Sequence, residues 1–132
     1  MKAVLWLSRH APLPAQTREL RRLFGADVRI DRDPRPFDSA EDILRRVREG
    51  GYDEVVVVAP LWVIARLCEA GLRPLWAEMR PVPGPTPGEA DRETVAGGRW
   101  YRFERFRRIV GVRIEFEEIG HEGSDVREPD AR

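Results

Sequence analysis

The sequence predicts a three-layer α/β domain built on a mostly parallel sheet, and three observations carry that expectation. Two apolar runs, Ala3 to Leu7 and Val55 to Ala59, are continuous rather than alternating, as in strands covered on both faces. Stretches of helical spacing lie between and after them, each stopped by glycine. The chain has 132 residues, 42% hydrophobic and 35% charged, enough for one core and too few for two.

The elements follow in order. The first strand is Ala3 to Leu7. Pro14 to Phe24 places Leu20, Leu23 and Phe24 at helical spacing before Gly25. Asp27 to Asp31 alternates like a short strand near the sheet edge. Ser39, with Asp42 three residues on, opens a helix from Ala40 to about Glu49, whose inward face is Ile43, Leu44 and Val47 and whose stop is Gly50-Gly51. Val55 to Ala59 is the third strand and Leu61 to Ala70 the third helix. Leu72 to Met79 reads as a fourth strand, placed at or near an edge by Pro74.

Right-handed crossovers would make this a small doubly wound sheet, and by analogy with such sheets the expected strand order is 2-1-3-4, with a switch point between the first and third strands. Residues 80–98, rich in proline and glycine, read as a flexible loop. Alternation in Arg99 to Phe106 and Ile109 to Glu118 predicts a C-terminal antiparallel β-hairpin, closing a single domain over 1–118. Residues 119–132 form a polar tail.

Composition narrows the function classes. Lysine plus arginine equals aspartate plus glutamate at 23 each, so no net positive footprint for duplex nucleic acid is present. Lys2 is the only lysine. That arginine excess fits either a coding bias or bidentate phosphate recognition, and composition does not separate the two. One cysteine, Cys68, allows no internal disulfide and no cysteine-based metal cluster, and two distant histidines add no metal-ligand spacing. No run is long enough for a membrane span and no signal peptide is visible, so a cytoplasmic location with no membrane partner is expected.

The candidate site lies where the first strand ends, in Ser8-Arg9-His10-Ala11-Pro12. Ligands of open α/β sheets bind at strand carboxyl ends, where the next helix offers a positive N-terminus. Arg9 is suited to bidentate phosphate pairing, Ser8 to donating a hydroxyl hydrogen bond, and His10 to acid–base work. The same rim receives Arg32-Asp33-Pro34-Arg35 after the second strand, Pro60, Leu61 and Trp62 after the third, and Glu78 and Arg80 after the fourth. The helix starting at Leu61 has backbone N–H groups for a phosphate, although Pro60 removes one donor. Trp62 is either a stacking platform or packing.

Two resemblances follow from these residues. Arg9-His10 after a strand, with Val57-Val58-Ala59-Pro60-Leu61-Trp62-Val63-Ile64 later, resembles the histidine phosphatases. Pro60 stands where that family has its second histidine, and proline can neither donate hydrogen bonds nor move a proton, so a divergent phosphatase is the disfavoured reading. Leu7-Ser8-Arg9-His10, followed by Gln16 on an amphipathic helix, resembles the small stand-alone CRISPR-associated (type III) proteins that are ring nucleases or Rossmann-like cyclic oligoadenylate sensors. This resemblance covers about the first 80 residues. It implies a homodimer enclosing a cyclic oligoadenylate. It also implies metal-independent, cofactor-free cleavage by attack of the ribose 2′-hydroxyl, giving 2′,3′-cyclic phosphate ends. On that reading Arg9 steadies the phosphate, His10 assists proton transfer, and Ser8 and Gln16 position the ligand. A non-catalytic sensor or interaction module on the same fold is the alternative.

Overall fold

The computed structural model describes residues 1–120. Most of the expected tail, 121–132 with His121, lies outside the described residues. Nine elements follow in order: β1 (Ala3–Leu7), α1 (Pro14–Phe24), β2 (Arg29–Asp33), α2 (Ala40–Gly50), β3 (Glu54–Val57), α3 (Leu61–Glu69), β4 (Leu75–Val82), β5 (Glu93–Ala96) and β6 (Arg99–Arg108). They form one six-stranded sheet of order β2-β1-β3-β4-β6-β5. The first four strands are parallel in the order 2-1-3-4, while β6 pairs antiparallel with both β4 and β5. The sheet is therefore mixed.

All five residues of β1 are buried because both faces are covered. On one face Val4 and Trp6 pack with Leu20 of α1 and with Val28, Val56 and Leu75. On the other, Leu5 and Leu7 pack with Ile43 of α2 and Val63, Ile64 and Leu67 of α3. Each fully buried aliphatic side chain stabilises the fold by about 2 kcal/mol. Ser39 caps α2 by accepting from the Asp42 N–H, and Gly51 ends it at φ 67°, a left-handed conformation that glycine adopts without strain.

Three expectations require correction. The hairpin of 99–106 with 109–118 does not form: β6 pairs antiparallel with β4 along one edge and, over Arg99 to Arg102, with β5 along the other. Its ladder ends with the Ile109 N–H bonded to the Pro74 carbonyl, and 109–119 has no regular structure. Residues 80–98 are not all loop, since they hold the end of β4 and all of β5, joined to β6 through Gly97-Gly98 at φ 57° and 76°. Both glycines take the positive φ that a two-residue hairpin turn requires. Finally, β4 is not at an edge. Pro74 precedes the strand instead of interrupting it, so the lost N–H removes no internal ladder bond.

Candidate functional site

Sheet register brings three strand exits to one rim. Leu7 lies level with Asp33 of β2 and Val57 of β3, so the next residues, Ser8, Pro34 and Val58, emerge together. The connection from β2 to α2 must pass over the end of β1, because the chain reverses its direction across the sheet there. The result is a cleft of about 530 Å³. Its apolar lining is Leu7, Pro34, Pro36, Phe37 and Val58, and its polar lining is Ser8, Arg9, His10 and Arg35.

The loop carrying the polar residues is held through its backbone. The buried Trp6 indole donates to the His10 carbonyl at 2.9 Å, and the His10 N–H donates to Ser8 Oγ at 3.1 Å. Arg32 donates from Nε to the Ser8 carbonyl at 3.4 Å and from its other nitrogen to the Arg9 carbonyl. With these backbone groups satisfied, the side chains of Arg9 and His10 are exposed at the cleft. Among the described residues the Arg9 guanidinium has no ion-pair or hydrogen-bond partner.

The facing wall is built by ion pairs. Arg46 of α2 is nearly buried and donates to Asp42 at 2.7 Å, to Asp33 at 3.4 Å, and to the Arg35 and Pro36 carbonyls at 3.0 and 2.6 Å. Arg35 grips Asp33 with two nitrogens at 2.9 and 2.7 Å. These contacts hold the Asp33 carboxyl well below its usual 3.8, at about 2, with the Arg35 side-chain hydrogen bond the largest cause. Asp33 is therefore charged throughout the physiological range.

Of the site residues predicted from the sequence, the cleft unites Ser8, Arg9 and His10. Gln16 does not line it. Its Oε1 accepts from the Leu13 N–H at 2.8 Å as a helix cap, and its Nε2 points to Met79 Sδ at 3.7 Å, inside the protein. The α1 N-terminus is also occupied, because the Ala15 N–H donates to the Asp91 carbonyl at 3.0 Å and Pro14 has no N–H. Pro60 caps α3 outside the cleft. Leu61 and Trp62, two-thirds exposed, line a separate depression of about 450 Å³ with Ala65, Arg66, Val112 and Ile114. Arg80 pairs with Glu104 at 3.0 Å on the extended end of β4, and Glu78 accepts from Arg107 at 2.9 Å.

Sequence reasoning placed 32–35 on this rim but missed Phe37 and Val58 as walls and Arg46 as their support. The signal for Arg46 was its i,i+4 spacing from Asp42, an acid–base pair on one helix face.

A cleft of this kind can hold an anion that carries an apolar or aromatic body. Arg9 offers a free fork, His10 a ring nitrogen, Ser8 a hydroxyl, and Phe37 with the two prolines a flat apolar wall. Among the described residues no group of three histidines, cysteines or carboxylates could hold a metal ion, and no helix is long and apolar enough to cross a membrane. Comparison of the chain with protein-family models, with curated proteins and with solved structures finds no match.

Proposed function

We propose that this protein binds a phosphodiester-bearing nucleotide of the cyclic oligoadenylate class in the strand-end cleft and cleaves it without a metal ion. The observation that supports this most is the unpartnered Arg9 guanidinium beside exposed His10, facing apolar Pro34, Pro36 and Phe37. A phosphate meets the arginine fork while a base lies against the apolar wall.

In the reaction the ribose 2′-oxygen forms a bond to the adjacent phosphorus and the bond from phosphorus to the 5′-oxygen breaks. His10 accepts the 2′-hydroxyl proton, Arg9 bears the charge developing on the phosphate, and the leaving 5′-oxygen takes a proton from solvent. The products are a 2′,3′-cyclic phosphate and a 5′-hydroxyl. In-line attack by a neighbouring hydroxyl depends chiefly on positioning and charge stabilisation, which such a residue set supplies. The protein acts as a homodimer, with two rims facing one ligand.

A second reading, a non-catalytic sensor, draws on one specific observation. No described side chain hydrogen-bonds the His10 ring, whereas an efficient general base is oriented by a third group. Incubation with cyclic tetraadenylate in EDTA, followed by chromatography of the products and by calorimetric titration, separates the two. Cleavage that falls about a hundredfold in His10→Ala, with affinity nearly kept, supports the nuclease. Arg9→Ala is expected to weaken binding about tenfold or more, as loss of a charged hydrogen bond does. Binding without turnover selects the sensor, and neither binding nor cleavage at micromolar ligand rejects both.

A further inference from the structure

The cleft does not end at Arg35. That residue also forms part of a neighbouring groove of about 440 Å³ between β2 and α2, lined by Arg32, Arg45, Arg46 and Tyr52 among others. Charge is unevenly matched across the two depressions. Arg35 and Arg46 share Asp33, and Arg45 and Arg46 share Asp42. The Arg32 guanidinium is bonded only to the uncharged carbonyls of Ser8 and Arg9, and the Arg9 guanidinium to nothing among the described residues. With Glu49 of the groove wall included, five arginines meet three carboxylates, leaving two positive charges over in a chain whose formal net charge is zero. Arg9 and Arg32 are the two of the five that pair with no carboxylate among the described residues. An arginine has five donors, and Arg32 uses two, so its fork retains capacity for a second anion.

Resting on the nucleotide reading above, we infer that the ligand is a single-stranded oligonucleotide segment with at least two phosphodiesters. The first meets Arg9 and His10, and the second lies past Arg35 in the groove, against Arg32 and Arg45. A mononucleotide or a single phosphodiester fills only half of this site. Arg45 is half-exposed and shares its only carboxylate with Arg46, so its loss leaves Asp42 paired and the loop intact.

The test compares two 2′-O-methylated, uncleavable probes without terminal phosphates, the adenosine dinucleotide with one phosphodiester and the trinucleotide with two. Fluorescence anisotropy over a salt series reads their affinities. The trinucleotide is expected to bind at least about tenfold more tightly, with a salt slope steeper by about 0.7, one single-strand phosphate neutralised. Arg45→Gln and Arg32→Gln should bring the trinucleotide toward the affinity of the dinucleotide, and Arg32→Lys should restore part of the difference. Circular dichroism checks that each variant is folded, and Arg45→Gln alone decides if Arg32→Gln disturbs the 8–10 loop. Equal affinities in the unaltered protein, or an advantage that survives Arg45→Gln, overturn the two-phosphate site while the single-phosphate cleft stands. If neither probe binds, the nucleotide reading falls with it.

Discussion

Arg46 divides one guanidinium among Asp42, Asp33 and two backbone carbonyls, and thereby fixes the wall that Phe37 presents to the cleft. Removing one partner from so buried a cation leaves donors unsatisfied. Asp33 is the partner whose charge can be titrated. Its folded pKa of about 2 lies below the ordinary 3.8, so the stability it contributes is present above about pH 4 and lost as pH falls toward 2. Arg35 is largely exposed, and solvent screening reduces that contribution to about 1 kcal/mol. Asp33→Asn should therefore be less stable than the unaltered protein by about that amount at neutral pH. The difference should close near pH 2, read by urea unfolding along a pH series. A gap that stays constant down to pH 2 would show that the carboxylate charge contributes nothing. At this scale Ser8, Arg9 and His10 were legible because they follow a buried strand directly. Gln16 misled because a polar residue on a helix reads as exposed, and nothing local shows that its amide caps its own helix.

At the scale of elements, the segment after β4 is where sequence and structure part most. Seven of its residues are proline or glycine, which reads as loop, yet it carries β5 and is strapped down from three sides. Buried Glu93 accepts from the Thr86 N–H at 2.8 Å and from Arg102 Nε at 2.9 Å, while Arg102 also donates to Thr86 Oγ1 at 2.9 Å. The Asp91 carbonyl and carboxylate bind Ala15 and Arg18 of α1. Gly97-Gly98 was the legible signal for the hairpin, but a four-residue strand is too short for alternation to announce it. Hydrogen bonds from the Thr86 backbone and side chain and from Arg102 hold the Glu93 carboxyl low against the opposing effect of burial, the Thr86 backbone bond being the largest cause. Glu93→Ala leaves Arg102 and the Thr86 N–H without that acceptor and should destabilise the protein. Urea unfolding measures the loss. Limited proteolysis should show new cleavage within 83–92, and an unchanged digestion pattern there would mean that Glu93 is not what orders the segment.

For the molecule as a whole, all three helices and the buried runs of β1 and β3 were legible, since continuous apolar runs and glycine stops are local signals, whereas the order 2-1-3-4 of the first four strands followed only by analogy with doubly wound sheets. The assignment of β6 to β4 was not legible, because a strand that alternates in sequence does not reveal which neighbour it pairs with. The same fact leaves 109–119 alternating yet outside any strand, with Val110, Ile114, Phe116 and Ile119 at least 65% exposed. Leu61 and Trp62 extend this apolar surface to the rim that carries exposed Val58, a wall of the cleft. An apolar band continuous with the site is what a second copy must cover if two rims are to enclose one ligand. The dimer proposed above therefore predicts sedimentation at twice 15.2 kDa at tens of micromolar protein. Trp62→Glu places a charge in the middle of that band and should shift the protein to the monomer with its circular dichroism unchanged, because Trp62 supports no core packing. It should also weaken binding of cyclic tetraadenylate while leaving the affinity of a linear dinucleotide, which needs only one cleft. A protein that sediments at 15.2 kDa with and without ligand would rule out the dimer and leave each cleft to act alone.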